Sequence, residues 1–191
     1  MPERRSRTGE RRGPYRRPRT GVYVVCGGKR TEPDYLNGLV RSRRNPDVAV
    51  TVVGKGCAPD KLVTQALSRV DVFDEVWCVF DKDEFDLDVA VRAAGTAGVR
   101  LAVSNPCFEV WLLLHHEERP SAFRAAGEVV RRLRKYVPAY DKAGLDFGDF
   151  VDGVDDAVER GRRLHDGAVV GPNPSSGVWV LVDTIVKEAE R

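Results

Sequence analysis

The segment Val76-Trp77-Cys78-Val79-Phe80-Asp81-Lys82-Asp83-Glu84 carries the residues best suited to chemistry. Asp81 and Asp83 are two positions apart, so in extended backbone both carboxylates point to the same side. Two carboxylates converging at a strand end repel each other unless a cation lies between them. Hard oxygen donors in that arrangement suit Mg2+ or Mn2+. Asp81 and Asp83 are therefore candidate metal ligands and candidate catalytic residues. The plainer alternative is an acidic turn that solubilises the strand end and caps the next helix.

The elements that must position this pair follow from the hydropathy pattern. Residues 76–80 are apolar and mostly β-branched or aromatic, the signature of a strand buried on both faces. Strands are predicted at 22–26, 48–53, 75–80 and 99–103, with helices at 31–44, 58–70 and 84–97 between them. Strands alternating with helices imply a largely parallel sheet with right-handed crossovers. After Ser104 the pattern turns helical, with helices expected at 106–117, 121–136, 149–165 and 175–190. Thr31 is placed to cap the first helix, Ser104 or Asn105 the helix opened by Pro106, and Ser175 the last. The expected fold is α/β: a mostly parallel four-stranded sheet flanked by helices over 21–103, with an all-helical extension over 104–191 in the same domain.

Composition narrows the function classes. The chain has 191 residues, 42% hydrophobic and 31% charged, which fits one soluble α/β domain. It contains no apolar run near the roughly 18–20 residues of a membrane span, and no apolar stretch follows the basic N-terminus as in a secretory signal. Cys26, Cys57, Cys78 and Cys107 are scattered, without a C-x-x-C pair or zinc spacing. That usage implies reduced thiols and a cytoplasmic protein. The formal charge of +2 hides an asymmetry, since residues 3–19 hold eight arginines against two glutamates. Rich in Arg, Gly and Pro, residues 1–20 are expected to form a disordered arm. Such an arm suits a nucleic-acid backbone, DNA or RNA, or is simply a solvated tail.

Other residues could complete a site at the carboxyl ends of the strands, where the loops of an open α/β sheet converge. Lys29, Arg30 and Lys55 lie in glycine-containing turns after the first two strands and could bind phosphates of a substrate. Ser104 and Asn105, with the free N–H groups of the helix they open, could hold a phosphate oxygen. His116 is a possible proton donor to a leaving oxygen, or a surface histidine. Phe108, Trp111, Leu112 and His115 follow helical spacing and read as core. The Gly54-Lys55-Gly56 turn lacks the spacing of a Walker A loop, so ATP binding is not expected.

Four segments in order, VVCGGKRTEPDYL, VWCVFDKDEF, SNPCFEVWLLLHHE and NPSSGVWVLV, resemble the RloB-like family, associated with restriction islands and phage-defence loci. The resemblance spans nearly everything from Gly21 onward, and its core is similar to a Toprim-type domain. It implies a magnesium-dependent nuclease in an anti-phage or abortive-infection system, working beside a separately encoded ABC-type ATPase. In a Toprim-type site a glutamate after the first strand joins the Asp-x-Asp after the third. Family members usually read Cys-Glu-Gly there, whereas Cys26 is followed by Gly27 and Gly28. Either Glu32 or Glu109 takes over as the missing catalytic acid, or the chain is a catalytically degenerate binding subunit. Tyr140, Lys142 and the run Asn173-Pro174-Ser175-Ser176 also match the family pattern, without an assigned chemistry.

Overall fold

The computed structural model describes residues 19–82, 87–118, 120–167 and 169–186. Asp83 lies outside the described residues, as does the arm up to residue 18. Four parallel strands stand where the hydropathy pattern put them: β1 (Thr20–Cys26), β2 (Val48–Gly54), β3 (Glu75–Asp81) and β4 (Arg100–Asn105). The sheet has five strands rather than four, in the order β2-β1-β3-β4-β5. The fifth, β5 (Ser175–Ser176), comes from the C-terminal half and runs antiparallel to β4, with Ser104 facing Ser176 and Asn105 facing Ser175.

The helices between the strands are α1 (Thr31–Arg43), α2 (Pro59–Leu67) and α3 (Asp88–Thr96). Beyond β4 follow α4 (Glu109–Leu114), α5 (Ala126–Leu133), α6 (Val154–Leu164) and α7 (Val178–Val186), with two short 3-10 turns at Phe147–Asp149 and Val151–Gly153. No described helix is long and apolar enough to cross a membrane.

Strand alternation divides the core between two faces. Val22, Val24 and Cys26 of β1, with Trp77 and Val79 of β3, face one side, where α1, α4, α6 and α7 bury Leu36, Trp111, Val158 and Leu181. Tyr23 and Val25, with Val76, Cys78 and Phe80, face the other, under Leu62 and Val63 of α2 and Ala90 and Ala94 of α3. The chain leaves β1 in one direction to reach β2, then turns back past β1 to β3. The helices of those two crossovers consequently lie on opposite faces. That reversal creates a crevice between the carboxyl ends of β1 and β3, the switch point where doubly wound sheets bind ligands.

Several expected boundaries are corrected. Thr20 is not part of the arm but opens β1: it pairs with Val48, and its N–H donates to Asp47 O at 2.8 Å. The N-cap of α1 is Arg30 instead of Thr31, whose hydroxyl donates to the carbonyl of Lys142 at 3.0 Å. Ser104 and Asn105 are strand residues, not helix caps, because β5 gives their backbone a ladder partner; the helix after them starts only at Glu109. For the same reason Ser175 belongs to β5, and α7 starts at Val178.

Candidate active site

The crevice between β1 and β3 holds a cavity of about 300 Å³. Its wall is built from the turn after β1 (Gly27, Gly28), the start of α1 (Thr31, Glu32), the end of β3 (Phe80, Asp81) and the entry to α4 (Phe108, Glu109). Cys57, Pro59 and Lys142 complete it. Asp81 follows Trp77 and Val79 in the two-residue period, which turns it to the face covered by α1 and α4. Three carboxylates from separate parts of the chain, Glu32, Asp81 and Glu109, thus line one cavity.

Glu32 is 6% exposed and reaches back over the turn, where its Oε1 accepts the Gly28 N–H at 2.9 Å. The absence of a side chain at Gly28 is what admits it, since a Cβ there would collide with both Glu32 carboxylate oxygens. Gly27 continues the sheet ladder, its N–H donating to Val79 O at 2.8 Å, and a Cβ on it would stand 3.2 Å from that of Phe80. Gly28 therefore opens the space that Glu32 occupies, beside a Gly27 that carries no acid of its own. Burial raises the Glu32 pKa above the ordinary value of 4.5. The Gly28 hydrogen bond and Lys142 work against that rise, and the charge of Glu109 adds to it.

Glu109 is 1% exposed. Its Oε1 accepts the Tyr140 hydroxyl at 2.9 Å and pairs with Lys142 Nζ at 2.7 Å, while its Oε2 is buried with no hydrogen-bond partner. Burial works against the Lys142 ammonium, but the hydrogen bond and charge of Glu109 raise its pKa overall, with Cys107 and Asp81 adding to the effect. Desolvation, then Glu109, pushes the Tyr140 phenol well above its usual range, so it stays a donor. The nearby Cys107 thiol is also raised, by burial first and Glu109 second, and remains protonated.

The donor set is all carboxylate oxygen, the chemistry a Mg2+ or Mn2+ site uses. A buried, unpartnered Glu109 Oε2 is the kind of atom such an ion would satisfy. Among the described residues, however, no group of three or more His, Cys, Asp or Glu is spaced to enclose an ion. The residues thus suit the ion in kind, while among the described residues they are not spaced to enclose one.

The other sequence candidates lie elsewhere. Lys29 is exposed, its side chain lying where a Cβ on Gly56 would be. Arg30 donates to the carbonyl of Ala143 at 2.8 Å. Lys55 is exposed, and its N–H extends the sheet by bonding Cys26 O at 3.0 Å. Ser104 is buried against the Ser176 hydroxyl at 2.8 Å, and Asn105 donates to Gly171 O at 3.0 Å. His116 stacks on Tyr136 with ring centroids 5.4 Å apart, its pKa lowered by burial and by Arg160. None of these six lines the cavity. His115 is core as expected. Its Nδ1 lies 3.1 Å from the Trp111 carbonyl, which can only accept, so Nδ1 carries the proton and Nε2 accepts from Tyr35 at 3.0 Å. Burial lowers its pKa to about 3.

Sequence reasoning left Tyr140 and Lys142 without a role, and they turn out to hold Glu109. Their signal was a match to the family pattern, which marks both residues but assigns them no chemistry.

Neither a curated protein nor a solved structure matches the chain significantly. The profile described as RloB-like protein matches residues 22–185, which takes in most of β1, the Gly-Gly turn, all three cavity acids, Lys142 and most of α7. With that match covering most of its length, the chain belongs to the RloB-like family.

Proposed function

We propose that the chain is a metal-dependent phosphodiesterase acting on DNA or RNA, with its active site in the crevice between β1 and β3. The observation that carries the reading is the convergence of Glu32, Asp81 and Glu109 on one cavity at the carboxyl edge of a parallel sheet. Carboxylates after the first and third strands are also what a Toprim-type core requires, with Glu32 standing in for the acid absent at Gly27.

In this reading Asp81 and Glu109 would hold Mg2+ or Mn2+, with Asp83 as a further ligand by its place in the Asp-x-Asp. The bound ion would polarise the phosphoryl oxygen and acidify a water. Glu32, its pKa raised by burial, takes the proton of that attacking water on its carboxylate. Gly28 N–H fixes the orientation of the base. Phe80 and Phe108 supply the apolar walls. A separately encoded ABC-type ATPase, and a role in phage defence by abortive infection, belong to the same proposal through the family resemblance.

A second reading, a binding subunit without catalysis, is favoured by the Lys142 ammonium already balancing Glu109 and by the open spacing of the acids. Cleavage of labelled single- and double-stranded DNA and tRNA in Mg2+ or Mn2+ separates the two. Under the first reading Asp81→Asn lowers cutting by about a hundredfold or more while melting like wild type. Cutting that survives both Asp81→Asn and Glu32→Gln would sink it. No cutting by wild type, alone or with the ATPase, leaves the binding subunit.

A further inference from the structure

We infer that Lys142 is the phosphate-binding cation of this cavity, and that segment 137–146 is a strap whose task is to present it. The inference rests on the phosphodiesterase reading of the same site. Three carboxylates repel a polyanion, and a protein cation beside them would hold a phosphate oxygen that a metal ion bound to the acids does not reach. The basic turns after β1 and β2 do not supply it, because Lys29, Arg30 and Lys55 stay outside the cavity. Among the described residues lining it, Lys142 is the one cation.

Its setting differs from that of an ordinary counterion. The Glu109 side chain is 2% exposed and that of Lys142 is 54% exposed, so the ammonium sits at the boundary between the buried acid and the open cavity. An ammonium has three N–H donors, and Glu109 Oε1 is its one ion-pair partner among the described residues. Donors remain for a non-bridging phosphate oxygen, which Lys142 would bind as a point charge without giving up its proton.

The strap is fastened as a presenting element would be. Arg30 and Thr31, at the start of α1, hold the carbonyls of Ala143 and Lys142. Tyr140 is anchored through its hydroxyl to Glu109 and through its carbonyl to Arg134. Inside the strap, Asp141 accepts the N–H of Ala143 at 3.0 Å. The start of α1 that carries Glu32 therefore also holds the backbone of Lys142.

The test uses the full chain and a labelled single-stranded tetranucleotide, too short to span the molecule. Binding is measured in EDTA across a salt series for wild type, Lys142→Met and Lys142→Arg, and cutting of a longer strand in Mn2+ is followed in parallel. Lys142→Met is expected to weaken tetranucleotide binding about tenfold or more, the effect of one charge-assisted hydrogen bond. It should also flatten the salt slope by about 0.7, one contact on a single strand, and Lys142→Arg should recover most of both. A purely structural lysine would move neither the slope nor the arginine rescue. If Lys142→Met folds poorly with Glu109 unbalanced, Glu109→Gln/Lys142→Met is compared with Glu109→Gln instead. Wild-type affinity and slope in the methionine variant would overturn the inference, as would no tetranucleotide binding by wild type. Lys142-dependent binding with no cutting by wild type, alone or with the ATPase, would remove the nuclease reading and leave this one standing.

Discussion

At Glu32 the balance of burial against hydrogen bonding has a measurable consequence. Desolvation, with help from Glu109, raises the carboxyl pKa above 4.5 despite the Gly28 N–H and Lys142. The folded chain therefore holds this proton more tightly than the unfolded chain does. A raised carboxyl contributes stability that is full below the unfolded value and is lost as the pH climbs through the folded value. Glutamine keeps an acceptor for Gly28 and carries no charge. Glu32→Gln is therefore expected to melt close to wild type near pH 4 and at a higher temperature near pH 7, with cutting lost. Thermal melts across that range check it, and a melting difference that does not change with pH would mean the carboxylate is hydrated. Stability gained and activity lost in one substitution is the mark of a charge kept for chemistry.

Among the elements, the turn between β1 and α1 does the most to shape the site. Its backbone needs no left-handed residue at Gly28; the glycine is there because the Glu32 carboxylate lies against its α-carbon. Alanine would push aside the far end of a flexible side chain, so Gly28→Ala should fold with a stability change of about 1 kcal/mol or less. Cutting should nevertheless fall about as far as in Glu32→Gln, because the base has lost its seat. Full activity in a well-folded Gly28→Ala would show that Glu32 need not sit where it does. The same turn marks how far the sequence could be read. β1 to β4 announce themselves as apolar runs, and the strand-helix alternation fixes their parallel pairing. β5 does not, since two residues carry no period, and its pairing with Ser104 and Asn105 joins segments some seventy positions apart. Without β5, Pro106 looked like a helix start and Ser104 like its cap. The site divided in the same way. Asp81 was legible from its strand, and Glu32 and Glu109 from an absence at Gly27, while Lys142 depends on a loop held only by tertiary hydrogen bonds.

On the scale of the whole molecule the start of β1 and the cavity stand at opposite ends of the parallel strands. β1 enters at Thr20 and delivers Cys26 to the Gly-Gly turn, and seven strand residues rise about 20 Å. Residues 1–18, with seven arginines against two glutamates, are thus joined to the end remote from the acids. The same end carries Arg19, Arg43 and Arg44 around a second cavity, with Arg43 paired to Asp155. An arm attached there acts on a long strand as a sequence-blind tether, raising local concentration without touching the scissile bond. Deleting residues 1–18 is therefore expected to leave the cutting rate on a saturating short oligonucleotide unchanged within about twofold. Affinity for a long strand should drop, with a salt slope shallower by roughly 0.7–0.9 for each phosphate contact removed. Titrations of short and long labelled strands across a salt series, read beside single-turnover rates, measure both quantities. A loss of rate on the short strand would bring the arm around to the cavity, and an unchanged slope on the long one would make it a solvated tail.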